Sequence, residues 1–180
     1  PVAADHPDSN YRMAAESLLS RVPIPAANVH RVRTELGPAE AAKAYEAELR
    51  EIFSLGIGGV PRFDLVLLGM GPDGHTASLF PGTDALQETA KLVVANWVEK
   101  LDQHRITLTL PVLNNAERVT FVVAGREKAQ VLCEVLAEDG AAEKYPAQLV
   151  RPVTGSLRWI VDQEAAQSLP QAVNLNHSAD

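Results

Sequence analysis

The chain has 180 residues, of which 46% are hydrophobic and 22% charged, a length and composition typical of one globular domain with its own core. Its net charge of −7 counts against general nucleic-acid binding, which needs a basic surface, and no apolar run reaches the roughly 20 residues of a membrane-spanning helix. Cys133 is the only cysteine, which excludes an internal disulfide and makes the reducing cytoplasm the expected compartment.

Two helices are predicted in the first part of the chain. Asp8 or Ser9 can cap the first helix, which is expected to run to about Arg21. Its apolar residues recur at three- and four-residue spacings and predict one inward-facing stripe, formed by Tyr11, Ala14, Ala15, Leu18 and Leu19. Pro38, a favourable first-turn residue, starts a second helix that is expected to end near Phe53.

The central stretch, residues 63–83, carries the strongest local pattern. Residues 65–68 are all aliphatic and predict a strand buried on both faces of a sheet. Residues 69–74 follow with three glycines and a proline, which favour a tight turn, and residues 75–80 can form a short helix before Pro81. Open α/β sheets place their ligand sites where a buried strand ends in such a turn.

The second half of the chain predicts four more strands, at residues 92–95, 105–110, 119–124 and 159–161. In residues 105–110 the alternation puts Ile106, Leu108 and Leu110 on a buried face and the threonines on the opposite one. A turn is expected at residues 111–115, a helix at about 127–137 and a short helix up to Leu169. Strands that alternate with helices indicate a mostly parallel α/β sheet flanked by helices, in one domain over residues 1–170 with a frayed tail at 171–180.

His75 is the best candidate for catalysis. An imidazole titrates near neutral pH, and at a helix start the positive end of the dipole would favour its neutral, basic form. A lone histidine is more often structural, but the glycine turn and Asp73 beside it favour a catalytic role here. Asp73 can orient the imidazole or bind a substrate hydroxyl, and it can equally well cap the predicted short helix.

The 69–74 turn also matches the G-x-G-x-x-G dinucleotide pattern through Gly69, Gly71 and Gly74. Two observations count against nucleotide binding. Pro72 removes an N–H that could face a pyrophosphate, and Asn96 and Trp97 stand near the next strand where an acidic ribose partner is expected. A purely structural turn remains the other alternative.

Three basic residues are candidates for binding an anionic substrate. Lys128 follows Gly125 between a strand end and a helix start, where free N–H groups, the helix dipole and an ammonium can receive a phosphate. An ordinary solvated lysine explains the same residue equally well. Arg105 is expected to open a strand, and Arg12 lies one turn into the first helix, where a surface role is the simpler reading.

Other chemistries find little support. Cys133 lies on the inward face of a predicted helix and suits a small core residue better than a nucleophile. The five histidines show no metal-ligand spacing, so no metal and no cofactor are expected.

Four segments in order resemble the 6-phosphogluconolactonase family: residues 9–12, 63–81, 105–114 and 125–128. The similarity runs from about Val2 to Leu169. Glucosamine-6-phosphate deaminases share the fold, but Thr76-Ala-Ser-Leu-Phe-Pro81 is similar to the lactonase form. The resemblance implies a Rossmann-like sheet of the glucosamine-6-phosphate deaminase and ribose-5-phosphate isomerase type.

The resemblance further implies metal-free hydrolysis of a sugar-phosphate lactone, 6-phospho-D-glucono-1,5-lactone, by a cytoplasmic enzyme that is a monomer or a weak homo-oligomer. His75 matches the family's general base and acid, with Asp73 beside it. Backbone N–H groups near Gly69, Gly71 and Gly74 would stabilise the oxyanion, while Arg12, Arg105 and Lys128 match positions that line the site or hold the phosphate.

One departure from the family pattern concerns the start of the chain. Family members carry an earlier strand with a Ser/Gly-rich phosphate loop and an Asp-Glu-Arg segment, and neither is present here. We therefore expect a partial chain that lacks N-terminal strands. A deaminase or isomerase of the same fold, and a sugar-phosphate-binding protein without catalysis, are the alternative functions.

Overall fold

The computed structural model describes residues 2–137 and 144–170. They form two compact units, the first from residues 2–61 and 83–112 and the second from residues 62–82, 113–137 and 144–170. The single domain predicted over residues 1–170 stays a prediction, and the predicted frayed tail at 171–180 lies outside the described residues.

All five predicted strands are confirmed, with ends that shift by a few residues. In chain order the helices and strands are α1 (Asn10–Ser17), α2 (Pro38–Ile52), β1 (Val66–Leu68), β2 (Val93–Val98), β3 (Gln103–Leu108), α3 (Leu110–Asn114), β4 (Arg118–Val123), α4 (Ala129–Leu136) and β5 (Ser156–Val161). Short 3₁₀ turns lie between them. None of the helices described is long and apolar enough to cross a membrane.

In the first unit, α1 starts as predicted and ends early. Ser9 caps it, since its hydroxyl oxygen accepts a hydrogen bond from the Arg12 N–H at 3.2 Å. The helix ends at Ser17, whose hydroxyl bonds back to the Met13 carbonyl, and a 3₁₀ turn follows. No residue of α1 is buried, so the prediction of an inward-facing apolar stripe is wrong. In α2, by contrast, Ala41, Ala42 and Leu49 are buried.

The strands β2 and β3 form an antiparallel hairpin in the first unit, in which Asn96 pairs with Arg105. The hairpin is not part of the parallel sheet. The face of β3 that was predicted to be buried is the wrong one. Thr107, and Thr109 just after the strand, are buried, while Ile106 and Leu108 are partly exposed. Thr109 is accommodated because its hydroxyl donates to the Lys91 carbonyl at 2.7 Å.

The second unit contains a parallel three-stranded sheet in the order β1-β4-β5, which confirms the predicted parallel α/β architecture. On its covered face, Leu68 pairs with Phe121 and Phe121 with Trp159. The rings of Phe121 and Trp159 stack with centroids 4.0 Å apart. The prediction that residues 65–68 are buried on both faces is wrong, because Leu67 is 63% exposed. It lies on the opposite sheet face from Phe121.

Two further connections differ from prediction. Residues 111–115 were expected to turn, but Leu110–Asn114 forms the short helix α3, whose first turn accommodates Pro111 without loss of a hydrogen bond. The helix predicted at about 127–137 begins as a 3₁₀ turn, Arg126–Lys128, before α4.

Candidate active site

The 69–74 turn follows the carboxyl end of β1 and is closed by its own hydrogen bonds. The Gly71 N–H donates to the His75 carbonyl at 2.9 Å, and the Gly74 N–H donates to the Gly71 carbonyl at 3.0 Å. The Thr76 hydroxyl donates to the Gly69 carbonyl at 2.8 Å. Because the N–H groups of Gly71 and Gly74 are used inside the turn, they are not available to an oxyanion without rearrangement.

The short helix predicted at residues 75–80 is wrong. Thr76 and Leu79 instead close a tight turn, in which the Leu79 N–H donates to the Thr76 carbonyl at 2.8 Å and Ala77 has a φ of +48°. The buried Thr76 side chain is held by Gly69, which fixes the backbone in this turn. The helix-dipole argument for a neutral His75 therefore has no basis, and Asp73 has no helix there to cap.

Asp73 contacts the imidazole of His75 directly. Its Oδ1 lies 2.5 Å from His75 Nδ1 and also accepts the His75 backbone N–H at 3.2 Å. An ionised carboxylate can only accept hydrogen bonds, so with Asp73 ionised the proton of this contact lies on Nδ1 and the lone pair of a neutral imidazole lies on Nε2. The helix-capping role of Asp73 is excluded, and of the two remaining roles this geometry supports orientation of the imidazole over binding of a substrate hydroxyl.

Two further residues position the imidazole. The Phe80 ring stacks on it with centroids 4.1 Å apart and planes 21° apart. Gly71 lies so close that a Cβ there would be 2.1 Å from the ring atoms Cε1 and Nδ1. The role of Phe80 was missed from sequence, where a phenylalanine before a proline gives no sign of a partner five residues earlier.

The 125–128 loop leaves the carboxyl end of β4, the strand next to β1, so it lies at the same edge of the sheet as the 69–74 turn. Lys128 is half-buried, and its ammonium forms no hydrogen bond or ion pair with a residue that the structure describes. The Gly125 N–H is already bonded to both carboxylate oxygens of Asp162, at 3.2 and 3.1 Å. Of the predicted phosphate receptor, the Gly125 N–H is therefore already in use, whereas no described residue uses the ammonium.

The other two basic candidates belong to the first unit. The Arg12 guanidinium donates to Glu16 Oε1 at 2.7 Å and to the Asp5 carbonyl at 2.9 Å, and its hydrogen bond to Glu16 raises the pKa of Arg12. Arg105 is the third residue of β3 and does not open the strand as predicted. It is half-buried, and within the described part of the chain its side chain has no ion pair.

The structure gives little support for a cysteine nucleophile, a metal site or a dinucleotide-binding turn. Cys133 is half-buried on α4. Within residues 2–137 and 144–170, no group of three or more His, Cys, Asp or Glu side chains could hold a metal ion. No helix begins directly after Gly74, so the 69–74 turn lacks the helix start that a dinucleotide-binding turn requires.

Comparison with known proteins identifies the family. Residues 1–159 match the family described as glucosamine-6-phosphate isomerases/6-phosphogluconolactonase. The chain is 44% identical to 6-phosphogluconolactonase of Synechocystis sp. over 93% of its own length and 69% of the relative's. For the human 6-phosphogluconolactonase the values are 46%, 93% and 64%. The structure of 6-phosphogluconolactonase from Trypanosoma cruzi superimposes with a TM-score of 0.81 at 32% identity, covering 93% of this chain and 69% of that one.

These matches confirm the resemblance seen in the four sequence segments and the fold type that it implied. The chain spans roughly two thirds of the length of these relatives, 64% to 69%. Its sequence and its fold show that it belongs to the glucosamine-6-phosphate isomerase/6-phosphogluconolactonase family, with 6-phosphogluconolactonases among its relatives.

Proposed function

We propose that the protein containing this chain hydrolyses 6-phospho-D-glucono-1,5-lactone to 6-phospho-D-gluconate, a reaction of the oxidative pentose phosphate pathway. The observation that carries the proposal is the 2.5 Å contact between Asp73 and His75 at the carboxyl end of a parallel strand. The relatives that bear the lactonase name support the same reaction.

In this mechanism His75 acts first as a general base and then as a general acid. Nε2 takes a proton from a water molecule, whose oxygen attacks the lactone carbonyl carbon and forms a tetrahedral intermediate. The bond between that carbon and the ring oxygen then breaks, and the same proton passes from Nε2 to the departing oxygen. Asp73 fixes the tautomer and stabilises the transient imidazolium, as a carboxylate does for histidine in other hydrolases.

Lys128 is proposed to hold the substrate phosphate, because this half-buried residue lies in the loop after β4, at the sheet edge that carries His75. Arg105 is proposed as a second basic contact. Arg12 is the weakest of the three, because Glu16 already neutralises its guanidinium. Asp73 completes the proposed site together with Gly69, Gly71 and Gly74, which form the turn that carries Asp73 and His75. The enzyme is proposed to be cytoplasmic, to need no cofactor and to act as a monomer or weak homo-oligomer.

The His75→Ala variant tests the catalytic assignment. Since positioned proton transfer contributes about 10² to 10⁴ in rate, kcat for lactone hydrolysis should fall by that factor while the melting temperature stays near that of the parent. His6→Ala, an exposed histidine of the first unit, is the matched control. Hydrolysis that stays at the parent rate in His75→Ala would remove His75 from the mechanism. Ammonia release from glucosamine 6-phosphate without lactone hydrolysis would favour the deaminase alternative.

The Lys128→Ala variant tests the phosphate assignment. An ammonium that binds the phosphate equally in ground and transition states raises KM on removal and leaves kcat nearly unchanged. Arg126→Ala is the matched control, because Arg126 is an exposed cation in the same loop. A KM for the phosphorylated lactone that matches the parent's would contradict the assignment of Lys128.

A further inference from the structure

Residues 145–147, here called the Tyr145 strap, contact the 69–74 turn from a distant part of the sequence. The Ala147 N–H donates to the Gly74 carbonyl at 2.9 Å. The Tyr145 ring lies against Gly74, where a Cβ would be 2.5 Å from Tyr145 Cδ1 and 3.0 Å from its Cβ. Gly74 has a φ of +74°, so both its conformation and its surroundings require glycine. The strap thus contacts the residue that separates Asp73 from His75.

The strap is itself anchored to α4. The Tyr145 hydroxyl donates a hydrogen bond to Oε2 of Glu134, a residue in the last turn of that helix. Glu134 also accepts hydrogen bonds from Gln130 at 3.0 Å and from Lys144 at 3.1 Å. The Tyr145 bond is the largest of the effects that lower the pKa of Glu134 to about 2, so the carboxylate stays ionised at neutral pH. Tyr145 is buried, and its ring also lies 4.7 Å from the Lys144 ammonium.

These contacts form a continuous connection from α4 to the proposed catalytic pair. We propose that Tyr145 is a positioning residue, which holds Gly74 and thereby fixes the spacing of Asp73 and His75. The expected change in kcat rests on the proposed function, whereas the expected change in the contact between Asp73 and His75 does not. Tyr145 acts through Gly74 and is assigned no contact with substrate.

The geometry explains why such support is needed. The Asp73–His75 contact spans only two residues of a turn that is rich in glycine, and glycine backbones are the least restricted. A misplacement of about 1 Å in a catalytic group can cost about 10²-fold in rate. The backbone bond and the buried ring both act on Gly74, directly before His75.

The first test compares two Tyr145 variants in the natural full-length protein. Tyr145→Ala removes ring and hydroxyl, and we expect kcat for lactone hydrolysis to fall about 10²-fold with KM within about twofold of the parent. Tyr145→Phe keeps the ring on Gly74 and loses only the bond to Glu134, so its kcat should fall less, by about 3- to 10-fold. Tyr45→Phe is the control, since it removes a hydroxyl that bonds the His30 carbonyl in the first unit.

The second test measures the contact between His75 and Asp73 by proton NMR in the absence of substrate. The Nδ1 proton shared by His75 and Asp73 should give a downfield proton resonance in the parent, in Tyr45→Phe and, weakened, in Tyr145→Phe. It should be lost in folded Tyr145→Ala. Should Tyr145→Ala fail to fold, Tyr145→Phe and Glu134→Ala carry both tests, because each removes one partner of the hydroxyl–carboxylate bond.

The outcomes separate this inference from the proposed function. A parent-like resonance and kcat in Tyr145→Ala, or in both milder variants if that one unfolds, would overturn the positioning role. A rise in KM alone would place Tyr145 in substrate binding and would also overturn it. If the protein shows no lactonase activity but the resonance still depends on Tyr145, the proposed function fails while the positioning role stands.

Discussion

Gly71 has no space for a side chain, because the imidazole of His75 lies against its α-carbon. A Cβ at this position would be 2.1 Å from two ring atoms and 2.9 Å from Asp73 Oδ1, so the imidazole and the carboxylate would both have to move. We predict that Gly71→Ala lowers kcat about 10²-fold, as expected for a catalytic group displaced by about 1 Å. Steady-state kinetics and the His75 proton resonance measure the effect.

The control for this substitution is Gly56→Ala. Nothing lies within 4 Å of a Cβ placed on Gly56, so the added methyl group should leave kcat unchanged. Equal activities for Gly71→Ala and the parent would show that the imidazole can move aside without cost, which would contradict the close contact at Gly71.

At the residue scale, sequence reasoning proposed that Asp73 contacts the His75 imidazole because the two residues lie within three consecutive positions, and the structure shows that contact. It did not find Tyr145 or Asp162, which reach the glycine turns at Gly74 and Gly125 only after the chain has folded. It also expected a helix start at His75 that the structure does not have. The expected helix dipole is absent, and the imidazole is instead held by its contact with Asp73 Oδ1 at 2.5 Å.

At the scale of elements, apolar runs and one alternating segment predicted all five strands, because a strand needs only a few consecutive residues. Burial was predicted less well because it depends on what packs against each face. In β3 the alternation was correct and the assignment of its two faces was inverted. Thr107 and Thr109 are buried, and the threonine hydroxyls bond to carbonyls.

This inverted face leads to a prediction about stability. The buried Thr109 hydroxyl donates to the carbonyl of Lys91, so Thr109→Val would leave that acceptor without its partner. The net contribution of a hydrogen bond is about 0.5 to 1.5 kcal/mol, and the free energy of unfolding should fall by about that amount in denaturant titrations. Thr120→Val on β4 is the control and should change stability by less than about 0.5 kcal/mol. Equal stability for both variants would contradict the importance of this bond.

At the scale of the whole molecule, one face of the parallel sheet stands out. Leu67 is 63% exposed, Val122 51% and Ile160 52%, and strand pairing puts all three on the same face. Parallel sheets are ordinarily covered on both faces, and contiguous exposed apolar patches mark places where other protein surfaces bind. The sequence predicted the apolar character of β1 correctly but not the exposure of Leu67. An aliphatic run does not show what packs against each face of its strand.

We predict that this face makes the isolated 180-residue chain bind a hydrophobic fluorescent dye and associate weakly with itself. Replacing Leu67 or Ile160 by Glu should lower dye fluorescence and shift sedimentation toward a monomer, because a charge within the patch disrupts apolar contact. Val153→Glu is the matched control, since Val153 is 83% exposed but lies outside the strands. If Val153→Glu lowered dye binding as much as the two patch variants, the effect would come from added charge in general. The sheet face would then not be the surface that drives association.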